Sequence, residues 1–172
     1  KKAAKEENGQ TILKRPKSIP ADIVRFKNGN ENWIAFVGLQ DGRPYEIFTG
    51  KIEEDAMYIP PKINKGFIIK VREENGSKRY DFQYIDRYGI SRLFNEEFWN
   101  YAKLISGVLR HGMPITNVVS LIESLHLNSE TINTWKLGVE RALKQYISDG
   151  TKTKDKCPSC GQETMAYQNG CL

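Results

Sequence analysis

All three cysteines of this 172-residue chain fall in its last 16 residues. Two stand in the string Cys157-Pro158-Ser159-Cys160-Gly161, and the third is Cys171. Two residues between cysteines let both sulfurs point into one site. The proline fixes the turn, and a glycine after it accepts the backbone conformation that aims amides at a thiolate. Two chemistries share this spacing. One is a zinc knuckle, for which Cys157, Cys160 and Cys171 are the candidate ligands. A structural zinc ribbon takes four ligands in a tetrahedron, so the site is incomplete as written and expects its fourth ligand beyond Leu172. The other is a redox dithiol, Cys157 with Cys160, which closes to a disulfide and passes electrons by thiol exchange when one thiol has a lowered pKa.

Other side chains present weaker cases. His111 and His126 lie at predicted helix C-termini, where histidines commonly meet the last carbonyls and the helix dipole. Glu53-Glu54-Asp55 is an acidic run in a predicted loop, and no base is spaced to work with it. No glycine-rich phosphate loop and no serine or cysteine nucleophile in a recognisable setting occurs. The sequence therefore offers no catalytic residues of its own.

Charge narrows the partners. The net charge is +5, but acidic residues accompany basic ones along the whole chain. A nucleic-acid binder would show a denser basic stripe interleaved with aromatics. The run Lys152, Lys154 and Lys156 is the one place where a nucleic-acid-binding zinc-ribbon domain would contact phosphates, and a solvated linker is the plainer reading. Hydrophobic residues make up 39% and charged residues 27%, a soluble balance. No apolar run approaches the roughly 20 residues that span a bilayer, and the start of the chain has no apolar targeting segment. Cysteines without a disulfide framework fit a reducing compartment, so the expected location is cytoplasmic.

What must position the tail is a sheet followed by helices. Residues 23–27 alternate in period two, a half-buried strand. Residues 33–37 are apolar on both faces and predict an inner strand covered on each side. Asp41-Gly42 turns into a third strand over 45–49. Residues 51–65, with Pro60-Pro61, read as a loop, since proline offers a central strand no amide. Strands over 66–72 and 78–85 flank the turn signal Asn75-Gly76.

After Gly89 the period becomes helical. Phe98, Tyr101, Ala102, Ile105, Val108 and Leu109 form one stripe, with Asn95 as N-cap and Gly112 and Pro114 as stop. Ile115, Val118, Val119, Ile122 and Leu125 form a second. Ile132, Trp135, Val139, Ala142, Leu143 and Tyr146 form a third. Gly107 and Gly138 sit inside helices, where close packing is the expected compensation for poor helix propensity. The fold expected is α+β, with a mostly antiparallel sheet of about five strands and three amphipathic helices packed on one face. Residues 1–13 and 150–156 read as linkers, 14–149 as the domain, and 157–172 as the incomplete cysteine-rich tail.

Several strings, in order, resemble one family. These are Lys14-Arg15-Pro16, the hairpin Asp41-Gly42-Arg43-Pro44-Tyr45-Glu46-Ile47-Phe48, the helix junction Leu109-Arg110-His111-Gly112-Met113-Pro114, and Cys157-Pro158-Ser159-Cys160-Gly161 with Asn169-Gly170-Cys171. They are similar to the C-terminal region of bacterial ribonucleoside-diphosphate reductase large subunits, especially the adenosylcobalamin-dependent type. The resemblance implies an accessory domain of an oxidoreductase that reduces ribonucleotides to deoxyribonucleotides for DNA replication. In that family an upstream barrel carries the radical chemistry and the adenosylcobalamin contacts, so this chain alone is expected to be inactive. The barrel and a thioredoxin-like reductant are the implied partners. The tail is implied to bind zinc, relay electrons, or both. A nucleic-acid-binding domain and a purely structural interaction domain are the alternatives.

Overall fold

The computed structural model describes residues 6–7, 10–11, 14–28, 30–52, 57–126, 128 and 130–172. Among the described residues eight strands precede four helices: β1 (Glu6–Glu7), β2 (Gln10–Thr11), β3 (Ser18–Asn28), β4 (Glu31–Gln40), β5 (Arg43–Lys51), β6 (Lys65–Arg72), β7 (Lys78–Gln83), β8 (Arg87–Tyr88), α1 (Ile90–Leu93), α2 (Glu96–Arg110), α3 (Ile115–Glu123) and α4 (Glu130–Lys144). The α+β class is as expected from the change of period after Gly89. β1 and β2 pair with each other, and the other six form one antiparallel sheet in the order β5-β4-β3-β6-β7-β8.

Two turns account for the hairpins. Asp41 and Gly42 both adopt positive φ, 52° and 75°, the conformation a two-residue turn needs to match strand twist. The Asn75-Gly76 turn is built differently. The Gly76 amide donates to the Glu73 carbonyl, Gly76 alone of the pair has positive φ, and the Asn75 side chain accepts from the Ser77 amide. The expected dipeptide thus makes a longer loop, stabilised by an asparagine side chain rather than by two residues of positive φ. β3 joins the hairpins. Its first half, from Ser18 to Asp22, pairs with β6, and its stretch from Ala21 to Asn28 pairs with β4. Pro20 falls before the β4 pairing begins, so its missing amide costs that ladder nothing. The loop containing Pro60-Pro61 is held by Arg25, whose guanidinium donates to the carbonyls of Pro60 and Ile63.

Both faces of the sheet are buried, as the apolar run in β4 requires. On one face Trp33, Ala35 and Val37 meet the helices through Phe98, Ile105, Val118, Ile122, Trp135 and Val139. On the other, Ile34 and Phe36 meet Ile68, Phe82, Ile90 and Phe94. This second face is covered by the sheet's own curl. Phe36 of β4 lies 4.4 Å from Phe82 of β7, and Phe48 of β5 lies 4.9 Å from Tyr80, ring centre to ring centre. Strands four places apart in the sheet touch, which makes a half-barrel.

The helices form where their caps and stripes predict. Asn95 Oδ1 accepts from the Glu97 amide at 2.9 Å, and α2 ends at His111. The predicted second helix stops at Glu123, leaving Leu125 exposed. Gly138 of α4 answers to packing, because a β-carbon there would fall 2.2 Å from the Phe26 ring. Gly107 does not: the space above it is open. Among the described residues, no helix is long and apolar enough to cross a membrane.

Candidate functional site

The tail is clasped onto the domain. The Gly150 amide donates to the Tyr167 carbonyl at 2.8 Å, Tyr167 donates back to Thr151 at 2.9 Å, and Thr153 donates to Met165 at 3.0 Å. Lys152 and Ala166 form an antiparallel bridge. Residues on either side of the knuckle are thus zipped together at its base, and Tyr167 buries its ring in the helix-side core. An aromatic side chain of this size contributes several kcal/mol on burial, on the order of 2–3, enough to hold a short segment in place.

From that base the knuckle projects. The Cys157 amide donates to the Gln162 carbonyl and the Gly161 amide to the Cys157 carbonyl, each at 2.8 Å. These two bonds close a tight loop over 157–162. Cys157 is half-buried and Cys160 exposed, and both are free thiols. Backbone hydrogen bonding from Cys160 and Ser159, reinforced by the Cys160 side chain, holds the Cys157 thiol below the usual thiol range. Amide donors favour the charged thiolate over the neutral thiol, which is how a turn activates a cysteine.

Cys171 lies elsewhere. It exchanges backbone hydrogen bonds with Gln168 and lines a cavity of about 770 Å³ against α4, beside Phe26, Gly138, Glu140 and Lys144. Among the described residues, no three His, Cys, Asp or Glu side chains are grouped so as to hold a metal ion. The knuckle brings Cys157 and Cys160 together and Cys171 does not join them. Two ligands do not make a tetrahedral zinc site, so the residues present do not fit that group as they stand.

The remaining candidates are solvent-facing. His111 is exposed at the end of α2, and His126 is exposed beyond α3. Lys152, Lys154 and Lys156 are exposed around the knuckle's base. The run Glu53-Glu54-Asp55 lies outside the described residues.

One charged cluster escaped the reading of the sequence. Glu46 in β5 is fully buried, and its carboxylate accepts from Arg15 Nε at 2.9 Å and from Arg110 Nη2 at 2.7 Å. Arg15 also stacks over Tyr80 and Arg110 over Tyr45. The pattern did carry a clue, since Glu46 shares a strand face with Phe48. A carboxylate on an apolar face needs a buried cation. Here it ties the segment before β3, the sheet and the end of α2 to one point.

A half-barrel sheet backed by three helices and bearing a clasped Cys157–Cys160 knuckle defines a small α+β domain. The chain belongs to the family described as the NrdJ homologue C-terminal domain, whose model matches residues 19–148. The match covers β3 through α4 and stops short of the knuckle. No curated protein and no solved structure matches the chain.

Proposed function

We propose that this domain is an accessory module of a ribonucleotide reductase, and that its Cys157–Cys160 dithiol carries reducing equivalents to the catalytic body of the parent enzyme. Membership of a family named for NrdJ supports the association with ribonucleotide reductase. The observation that carries the relay is the tight turn closed by the Cys157 and Gly161 amides, which holds two free thiols within four residues at the surface, the Cys157 thiol being kept below the usual range by hydrogen bonding from the Cys160 and Ser159 backbone. It makes Cys157 the attacking thiolate and leaves Cys160, in the same turn, as the resolving thiol.

The exchange balances without other reagents. Cys157 thiolate attacks one sulfur of a disulfide in the catalytic body, forming a mixed disulfide and releasing one thiolate. Cys160 then gives up its proton and attacks Cys157 Sγ, releasing the second thiolate. The acceptor gains two electrons and becomes a dithiol by taking up one proton from Cys160 and one from solvent, to which Cys157 had given its own, and the chain is left with a Cys157–Cys160 disulfide. A thioredoxin-like dithiol reverses this last bond by the same chemistry. Cobalamin chemistry in such a parent belongs to the catalytic body, and no residue of this chain is assigned to it.

The test is a redox titration of the chain in thiol buffers, with alkylation and mass measurement to identify the oxidised pair, followed by reduction with thioredoxin. The expected result is a Cys157–Cys160 disulfide that thioredoxin reduces, lost in Cys157→Ser and Cys160→Ser. One tightly held zinc per chain with both thiols protected from alkylation would overturn the relay and favour a structural knuckle.

A further inference from the structure

The end of the half-barrel where α2 meets β5 collects more positive charge than it neutralises. Glu46 is buried there, with the guanidinium groups of Arg15 and Arg110 on its carboxylate. Two lysines join them from the β6–β7 hairpin. Lys70 stands directly opposite Tyr80, the ring that Arg15 covers at 5.5 Å, and Lys78 lies two residues before Tyr80 on the same face of β7. The Lys70 amide and Arg15 Nη1 also share one acceptor, the Lys17 carbonyl. Four cations, Arg15, Lys70, Lys78 and Arg110, thus gather about the one carboxylate of Glu46.

The other acidic side chains of the hairpin do not restore the balance. Asp81 and Glu73 already serve Arg79 and Arg87, and Glu74 faces solvent in the turn. Burial, and then the charges of Lys78, Arg15 and Arg110, hold the Lys70 ammonium below the usual lysine range, with Glu46 pulling the other way. The donors left over are specific. Arg15 spends Nε and Nη2 on Glu46 and Nη1 on two backbone carbonyls. Arg110 gives Glu46 only Nη2, and its Nε is buried without a partner. Among the described residues, neither Lys70 Nζ nor Lys78 Nζ makes a hydrogen bond or an ion pair. Two ammonium groups beside a guanidinium with donors to spare, all carried by packed elements, make a donor set that suits a phosphate.

We propose that this end of the half-barrel is a binding site for a phosphate group, held by Lys70, Lys78 and Arg110, with Glu46 and Arg15 as positioning residues. Glu46 fixes the Arg110 guanidinium from one side and the Tyr45 ring supports it at 5.3 Å, so the donor is in place before a ligand arrives. A phosphate dianion meets an excess of several positive charges better than a single carboxylate does. A nucleic-acid track fits less well, because these cations converge on one point instead of running in a stripe. The site does not depend on the role of the thiols.

Isothermal titration calorimetry of the whole chain with inorganic phosphate and with glycerol phosphate, against chloride at matched ionic strength, tests it. The expected result is one saturable site, with a melting temperature that the phosphate compounds raise and chloride does not. Lys70→Met keeps the aliphatic stem and removes the charge, and it should weaken phosphate binding about tenfold or more. In phosphate-free buffer the same variant should melt no lower than the parent chain, since repulsion among like charges is relieved. Lys78→Met should weaken binding in the same direction. Tighter binding of glycerol phosphate would mark a phosphate group carried on a larger molecule, and tighter binding of inorganic phosphate the free ion; either supports the site. Heat and melting shifts no greater than those of chloride overturn it. So does phosphate binding that Lys70→Met and Lys78→Met both leave unchanged.

Discussion

The carboxylate of Glu46 and the guanidinium of Arg110 meet at 2.7 Å, 64 residues apart in sequence, at the point where the end of α2 crosses β5. Glu46 is fully buried, and the second guanidinium on it, that of Arg15, is 5% exposed. Removing the carboxylate leaves Arg15 buried without its counter-charge. Breaking one side of a buried ion pair costs about 3–5 kcal/mol, which for a domain of this size lowers the melting temperature by roughly 6–20 °C. Glu46→Ala is expected to fall in that range by thermal denaturation. Arg110→Ala should cost less, since Arg15 still serves the carboxylate. Equal losses in the two variants would mean that the pairs do not share one buried charge.

Much of the architecture is legible in local pattern, and what is not has a common cause. Alternation in residues 23–27, the apolar run 33–37 and the Asp41-Gly42 turn each act within a few residues, and the strands stand where they predict. So do the three helical stripes and the Asn95 cap. The curl that brings Phe48 onto Tyr80 depends on strands four places apart, and no periodicity reports it. Glu46 shares a strand face with Phe48, which hints at burial, but its partners Arg15 and Arg110 arrive from distant segments. Tyr167 sits alone in a polar tail with no repeat around it, so its burial depends on where α4 ends. The cysteine spacing announces the Cys157–Cys160 knuckle for a local reason again: a turn of four residues sets it. Cys171, eleven residues beyond Cys160, follows the clasp onto α4 instead.

The two helix-interior glycines make opposite predictions. At Gly138 a β-carbon would sit 2.2 Å from the Phe26 ring, inside the core, so Gly138→Ala must displace an aromatic that also stacks on Trp33. Overpacking of this kind costs about 1–3 kcal/mol. At Gly107 nothing lies within 4 Å of such a carbon, and Gly107→Ala should stabilise the chain by about 0.5–1 kcal/mol through helix propensity alone. Denaturant melts of the two variants check the difference in sign. Phe26→Leu in the Gly138→Ala background should recover part of the loss.

Reactivity of the knuckle should depend on pH in a defined direction. The Cys157 thiol is held below its ordinary range by the amides of Cys160 and Ser159. Its thiolate is therefore populated at a pH where an unperturbed thiol is still protonated. Alkylation by iodoacetamide, followed by peptide mass, should show Cys157 reacting first, and its rate should fall only as pH drops through the lowered pKa. The linkage has the matching sign: a depressed folded pKa favours the folded state above the unfolded thiol's pKa, and that contribution disappears as pH falls through the folded one. Replacing Ser159 with proline removes one amide donor, and the alkylation profile should move up towards an ordinary thiol. A profile for Cys157 that coincides with that of Cys160 would count against the amides as the cause.

Tyr167 is the residue on which the placement of the knuckle turns. Its ring is 6% exposed among the helix-side core residues, while its amide and carbonyl pair with Thr151 and Gly150 on the other strand of the clasp. Tyr167→Ala keeps those backbone bonds and removes the ring. Loss of a buried aromatic costs about 3–5 kcal/mol when the element it anchors is held by the rest of the fold, but the clasp is a short surface segment held otherwise by backbone bonds and by the Asn169 amide on Asp149, so the cheaper response is to open. The expected outcome is therefore a split between two readouts. Limited proteolysis in the 150–157 stretch should accelerate sharply, while the melting temperature of the sheet-and-helix body changes by only a few degrees. Tyr167→Phe should restore protection, because the ring rather than the hydroxyl does the anchoring. A large fall in melting temperature without faster cleavage would instead make Tyr167 an integral core residue, and the knuckle a fixed part of the domain.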